Sequence, residues 1–589
     1  MHTQRDGGSG RPRAFGRDWV IFGLFAVATV VLCVRLVFIQ VVKAADYAEM
    51  ADTSHTKTVS ISAKRGTIYD RNGEVLASNV DATTIYADPQ LVTDPQGVAE
   101  VLEEVLGEEY DKDYSYYYEL VTKDNSFTYI QRKCDAGLAE ELDGALDEAG
   151  LEGIYYLEDT TRVYPYGEVG SQLVGNVDVD GNGIAGLELE YDELVGGEDG
   201  EMVVEQGAGG IPIADGHIEI TEATDGADII TSIDIKLQEK VEDSLLSAIE
   251  DYEAAGGNAT VYDAATGEIY ASCSYAAVED DEEVEEAEEA EDGEDAGYEL
   301  EVGKLGAITD AYEPGSTLKA FTALSVVANG GANANTTFTV PYSLDVYDAT
   351  ITASHTHATE VMTLSQIVAE SSNVGMVLAS RTIEEEELYA TYAMFGFGTK
   401  AATDFPGVAA GQLDAASDWD PVRAANITFG QGITVTNGQL LAAFGAIEQG
   451  GTMRTPHFLT NVPGDEETED ELVDVLEEGA EVADAEDCEA VTQMLEGVVT
   501  DGTGTTAAIE GFTVVGKTGT AQIAEGGVYT ESYNVTFAGW LEGSSSDLVC
   551  IVTVYEPDGD VAGGTVCGPV FADIMSFAAE RYQVNPDAD

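Results

Sequence analysis

The chain has 589 residues, too many for one ordinary core, and this length predicts two or three domains. It carries 111 acidic against 25 basic residues, a formal charge of -86, which argues against nucleic acid as a partner because phosphates need Lys and Arg neighbours. The same acidity suits a protein in concentrated salt, one kept soluble by self-repulsion, or a general acidic bias unrelated to function.

The chain opens on a tail, residues 1–18, with Arg5, Arg11, Arg13 and Arg17 against Asp6 and Asp18. Residues 19–42 are then almost wholly apolar, and about twenty such residues span a bilayer as a helix. Arg35 and Gln40 sit near its end, where long side chains reach the headgroups. The positive-inside rule keeps the tail cytoplasmic and puts everything after about Lys43 outside. The apolar run is long for a cleaved signal peptide and no small-x-small site follows it, so an uncleaved single-pass anchor is expected.

A polar stretch leads to A-K-R-G-T-I-Y-D-R-N-G-E-V-L-A, Ala63 to Ala77, where Asp70-Arg71-Asn72-Gly73 is turn chemistry between short apolar runs. A mixed α/β region follows to about residue 222, with helical patterns at Gly97–Leu106 and Gly137–Ala149. From Gly226 a short strand precedes an amphipathic helix, with Asp234 as its N-cap. Two strands around a turn at Ala265–Gly267 open the main sheet. Residues 279–301 form an acidic low-complexity insert whose like charges repel, so a solvated loop dispensable for chemistry is expected. A weaker acidic stretch, 464–489, joins a strand to a helix beginning near Cys488.

The six cysteines are scattered without a C-x-x-C pair, which argues against a zinc knuckle. Cys550 and Cys567 are close enough in sequence for a disulfide, but the spacing does not demand one. His355 and His357 alone make a poor metal site.

Three short motifs carry the chemistry. The first is Ser316-Thr317-Leu318-Lys319, punctuated by Pro314-Gly315 and followed by a helix. Positions three apart share a helix face, so the Lys319 amine can lie beside the Ser316 hydroxyl, and a serine needs an adjacent base to become nucleophilic. The second is Ser371-Ser372-Asn373, which alone reads as a cap or turn. The third is Lys517-Thr518-Gly519-Thr520, after the strand-like Thr513–Val515, where Gly519 permits close approach of a ligand to the strand. Each is weak alone. In this order they resemble the S-x-x-K, S-D-N and K-T-G signature of penicillin-binding proteins and class A β-lactamases, with Ser372 in place of the Asp of the middle motif, which is closer to penicillin-binding proteins.

The chain resembles a class B, monofunctional penicillin-binding protein of the septal cell-division type. Further resemblance lies in R-G-T-I-Y-D-R-N-G, in R-V-Y-P-Y-G at Arg162–Gly167, in G-L-E-L-E-Y-D at Gly186–Asp192 and in G-Q-G-I-T-V-T at Gly430–Thr436. It implies an α/β multidomain chain: a single N-terminal transmembrane helix, a mixed α/β pedestal or dimerisation domain over 43–222, and a transpeptidase domain over 223–582. That last domain would have the penicillin-binding/β-lactamase-like fold, a central antiparallel sheet flanked by helices, with 583–589 as a tail. Neither a glycosyltransferase domain before it nor a repeat domain after it is expected.

The resemblance further implies a peptidoglycan D,D-transpeptidase. Ser316 would attack the penultimate carbonyl of a stem peptide ending in D-Ala-D-Ala, with Lys319 taking its proton. Ser371 would pass a proton to the leaving amine. Asn373 would bind the substrate amide and orient Lys319. Lys517 with Thr518 and Thr520 would hold the terminal carboxylate beside Gly519. The amides of Ser316 and Thr520 would form the oxyanion hole. β-Lactams would acylate Ser316, no metal or organic cofactor is called for, and a membrane glycosyltransferase and other wall-synthesis proteins would be partners. An elongation-type enzyme, a D,D-carboxypeptidase or β-lactamase, and a non-enzymatic penicillin sensor or scaffold are the rival readings.

Overall fold

The computed structural model describes residues 17–43, 56–61, 63–205, 218–277, 298–299, 303–353, 356–464, 479–525, 528–559 and 562–586. The tail ahead of residue 17, His355 and the acidic insert other than Tyr298–Glu299 therefore lie outside the described residues. The chain divides into two compact units, Met1–Ala63 with Glu198–Thr224, and Lys64–Gly197 with Asp225–Asp589.

The first unit contains the apolar helix Arg17–Val37, which continues as a π-helical turn, Phe38–Val42. Its apolar stretch, Trp19–Val41, is 23 residues long with a mean hydropathy of 2.6. It is long and apolar enough to cross a membrane, and its side chains are exposed as a lipid-facing helix requires. The same unit holds a three-stranded antiparallel sheet in which Gly200–Glu205 lies between Thr56–Ile61 and Ile218–Thr221.

The second unit is built on two sheets. One runs in the order Leu459–Asn461, Ile229–Thr231, Ile68–Tyr69, Val75–Ala87, Thr128–Asp135, with Ile154–Val163 also paired to Val75–Ala87. The D-R-N-G turn joins Ile68–Tyr69 to Val75–Ala87 as the composition predicts. Helices Pro95–Tyr110 and Ala136–Ala149 cover one face of the sheet, and their buried Leu102, Leu106, Leu142 and Leu146 pack against Ile85 and Ile130. Asp94 and Asp135 cap these helices by accepting from backbone amides of the first turn.

Three of the quoted segments meet in one buried ion cluster. Arg65 Nε and Arg162 Nε each lie 2.6 Å from a different oxygen of Glu188, which has no exposed side-chain surface, and Arg65 Nη1 reaches Asp192 at 2.6 Å. Removing one partner of such a cluster leaves uncompensated buried charge, which costs about 3–5 kcal/mol. Glu188→Gln is accordingly expected to lower the denaturant midpoint by that much stability, with conservative exposed substitutions such as Glu119→Gln as the control. An unchanged midpoint would show that the two guanidinium groups find water instead.

The second sheet is six-stranded and antiparallel throughout, in the order Tyr298–Glu299, Ile269–Ala277, Gly256–Asp263, Leu548–Tyr555, Val528–Glu542, Thr513–Glu525. Ile235–Asp251 and Gly563–Arg581 pack on one face through Leu237, Val241, Leu245, Phe571 and Ile574. Asp234 caps the first of these by accepting from the amides of Lys236 and Leu237. The other face is covered by an apolar helical layer that includes Lys319–Ala328, Asn437–Glu448 and Ala485–Thr500. The motif-bearing elements lie in this layer and on the edge strand Thr513–Glu525.

Candidate active site

Gly315–Leu318 is a 3-10 turn that runs directly into the helix Lys319–Ala328. This places Ser316 and Lys319 on one face, with Lys319 Nζ 3.0 Å from Ser316 Oγ. The helix is buried nearly all round by Phe321, Leu324 and Val326, which fixes the direction in which Lys319 emerges. The serine loop is held from behind by G-Q-G: the Gly315 amide donates to Gly430 O at 3.0 Å. Gly430 has φ +84°, and a Cβ there would meet Gly315 O, so only glycine fits.

The second motif lies between helices Leu364–Ala369 and Asn373–Ser380. Ser372 is the N-cap of the latter, accepting from the Gly375 amide at 3.1 Å, so the cap expected here is present. Ser371 has φ +57°, a left-handed conformation that costs a non-glycine residue roughly 1 kcal/mol. In this conformation its carbonyl and its hydroxyl both face Lys319, at 2.5 and 3.2 Å from Nζ. Asn373 Oδ1 lies 2.6 Å from the same nitrogen.

Lys517 comes from the edge strand and reaches Ser371 Oγ at 3.1 Å and Thr518 O at 3.0 Å. Ser371 thus sits between the two lysines. Thr518 is buried and Thr520 is exposed. A Cβ on Gly519 would meet Thr317 Cγ2 at 3.0 Å and Pro314 O at 3.2 Å. At this glycine it is the serine loop that packs closely on the strand, in place of the ligand expected from the sequence. All five residues expected to be catalytic come together, with Thr518, Gly519 and Thr520 beside them on the strand.

Lys319 and Lys517 are both fully buried, and among the described residues neither has a carboxylate in an ion pair. Burial pushes the Lys319 amine well below the usual lysine range, and the neighbouring Lys517 adds to the effect. Burial alone brings Lys517 down to about 7. A neutral Lys319 has two N–H groups and one lone pair. Ser371 O and Asn373 Oδ1 are acceptors only, so they take the two N–H groups. The lone pair is left for a hydroxyl, and of the two within reach Ser316 Oγ at 3.0 Å is nearer than Ser371 Oγ at 3.2 Å. Four oxygen neighbours around one buried nitrogen thus hold the Lys319 amine beside the Ser316 hydroxyl.

Sequence reasoning missed Thr503, in the turn after Ala485–Thr500, whose hydroxyl lies 2.6 Å from that of Thr518. A lone threonine in a Gly-rich turn offers no signal from which to read this.

Residues 60–231 match the family described as Penicillin-binding Protein dimerisation domain, and residues 257–576 match Penicillin binding protein transpeptidase domain. The chain is 29% identical over 575 residues to the Probable peptidoglycan D,D-transpeptidase PenA of Neisseria gonorrhoeae, covering 96% of this chain and 93% of that protein. It is 30% identical over 575 residues to the Stage V sporulation protein D of Bacillus subtilis (strain 168), covering 96% and 85%. Among solved structures, Penicillin Binding Protein 2X of Streptococcus thermophilus superposes with a TM-score of 0.69 at 25% identity, covering 89% of this chain and 80% of that one. With a dimerisation domain followed by a transpeptidase domain, and a buried lysine in contact with a serine in the latter, the chain belongs to the class B penicillin-binding proteins.

Proposed function

We propose that the protein is a peptidoglycan D,D-transpeptidase that cross-links stem peptides through a Ser316 acyl-enzyme. The observation that carries this reading is the contact between Ser316 Oγ and a fully buried Lys319 that has no carboxylate ion-pair partner among the described residues. Ser316 gives its proton to Lys319 and attacks the carbonyl of the penultimate D-alanine. Ser371, bridging the two lysines, passes a proton to the leaving D-alanine nitrogen. Asn373 holds Lys319 and faces the substrate amide. Lys517, Thr518 and Thr520 take the terminal carboxylate, and the amides of Ser316 and Thr520 receive the oxyanion, worth roughly 3 kcal/mol of barrier per donor. The acceptor is an amine of a neighbouring stem, and β-lactams enter as mimics of the donor.

The finer reading is a septal enzyme. Its tail stays cytoplasmic, the apolar helix anchors it, the pedestal occupies 43–222 and the transpeptidase domain 223–582 lies outside the membrane. A membrane glycosyltransferase is its partner in wall synthesis. The Arg-rich tail supports the orientation, and the 23-residue apolar helix supports the anchor.

A donor peptide ending in D-Ala-D-Ala, supplied with a labelled D-amino acid or a second stem as acceptor, tests the reaction. Transfer of the acyl group to the amine is expected to exceed hydrolysis. Release of D-alanine with water as the only acceptor would favour the carboxypeptidase reading instead.

A further inference from the structure

Thr503 joins the two walls of the site. Its amide donates to Ala369 O at 3.3 Å, at the end of the helix that leads into Ser371. Its hydroxyl oxygen lies 2.6 Å from Thr518 Oγ1, on the strand that supplies Lys517. Thr518 is buried while Thr503 is exposed. Thr518 Oγ1 also lies 3.4 Å from Lys517 Nζ.

A hydroxyl has one proton to give and two lone pairs to receive. Thr518 can offer its proton to a substrate carboxylate only if neighbouring groups do not accept that proton first. Lys517 is a donor toward Thr518 and fills one lone pair. Of the two directions open to the Thr503–Thr518 bond, only donation by Thr503 fills the second lone pair and leaves the Thr518 proton free. The reverse direction would spend that proton on Thr503 and turn a lone pair toward the incoming anion.

We infer that Thr503 is a further specificity-determining residue: a positioning residue whose hydroxyl, donated to Thr518, aims the Thr518 proton at the terminal carboxylate of the donor. This rests on the function proposed above, in which Lys517 and Thr518 form the carboxylate clamp. Thr503 makes no bond to the acyl carbon. It acts on recognition of the anion, and so on the choice between donors with and without a free C-terminus.

The test compares two donors on the full chain: an N-acyl-D-alanyl thioglycolate, whose acyl group passes to Ser316 Oγ with release of the protonated thiol, and the methyl ester of the same compound. The ratio of the two acylation efficiencies is measured for the parent, Thr503→Val and Thr503→Ser, with thermal midpoints alongside. Thr503→Val is expected to narrow the preference for the free carboxylate roughly ten-fold, the size of one hydrogen bond to a charged group. The loss should fall on KM more than on kcat. Thr503→Ser, which keeps the hydroxyl, is expected to restore the ratio to within about two-fold. If Thr503→Val slows both donors equally, or leaves the ratio unchanged, or if Thr503→Ser behaves as the valine variant does, the inference is overturned. A parent that acylates with neither donor would instead overturn the transpeptidase reading itself.

Discussion

Ser316→Ala is expected to abolish covalent labelling by penicillin, and Lys319→Ala to slow acylation by roughly 10²–10⁴-fold, the usual contribution of a positioned general base. Intact-mass analysis of the parent should find one adduct, on the peptide containing Ser316. The argument for Lys319 is one of protonation. Its nitrogen has the acceptor oxygens of Ser371 O and Asn373 Oδ1 and the hydroxyls of Ser316 and Ser371 around it. Only the neutral amine has a lone pair for the serine proton, and burial with Lys517 alongside favours that form. Acylation should therefore rise with pH through the depressed pKa of Lys319, well below the 10.4 or so of a free lysine, and be lost as pH falls below it. Lys319→Arg keeps a cation that does not give up its proton, so it should be as slow as the alanine variant. A full adduct on Ser316→Ala, or a fast Lys319→Arg, would remove these assignments.

The candidate site was legible from sequence because the three motifs name the side chains that the structure brings together, and local rules place them. Three-residue spacing is enough to set Lys319 beside Ser316, and Ser371-Ser372-Asn373 reads as a cap or turn by composition, the structure making Ser372 the cap. What brings the motifs together was not legible. Glu188 is separated from Arg65 by 123 positions, and nothing local to either predicts the ion cluster. The D-R-N-G segment reads as a turn, and it is one, but its side chains do more. Buried Asp70 accepts from the amides of Asn72, Glu74 and Ile235, so it also reaches the first turn of the helix Ile235–Asp251. Arg71 stacks on the Tyr270 ring with its guanidinium carbon 3.5 Å from the centroid, and Glu268 lies within 3.6 Å. That one turn therefore fastens the Ile68–Tyr69 hairpin to the six-stranded sheet. Leu459–Asn461, from far along the chain, pairs with Ile229–Thr231 in the other sheet. Pairings of this kind depend on tertiary packing, which a local pattern does not encode.

Lys517→Ala is expected to weaken acylation roughly 10²-fold, and the shape of the loss separates two roles. As a carboxylate clamp, Lys517 must be charged when the donor is bound. In the free protein burial holds it at about 7, so above that pH the donor's carboxylate has to bring a proton onto Lys517 as it binds. Binding should then take up protons between about pH 7 and the higher pKa of the complex, which calorimetry in buffers of different ionisation enthalpy measures directly. In Lys517→Ala that uptake disappears. As a neighbour of Lys319, Lys517 also disfavours charge there, although burial is the larger cause. Its removal should therefore move the ascending limb of the acylation profile to higher pH. An unmoved limb with only weaker donor binding would leave Lys517 as a clamp alone. Lys517→Arg stays charged at every accessible pH, so proton uptake should vanish there too. Its planar fork replaces a compact ammonium between Ser371 and Thr518, so acylation should be slow but measurable. Stability follows the same linkage. The unfolded chain protonates Lys517 below about 10.4, whereas the folded chain does so only below about 7. The unfolded state thus binds more protons across that window, and this lysine's penalty on folding grows as pH falls through it. Lys517→Met, similar in length and without a charge, should gain stability over the parent as pH drops from about 10 to 7, and hold a constant gain below. A gain independent of pH across that window would mean that Lys517 is charged in the folded protein, and the clamp would then bind its anion without proton uptake.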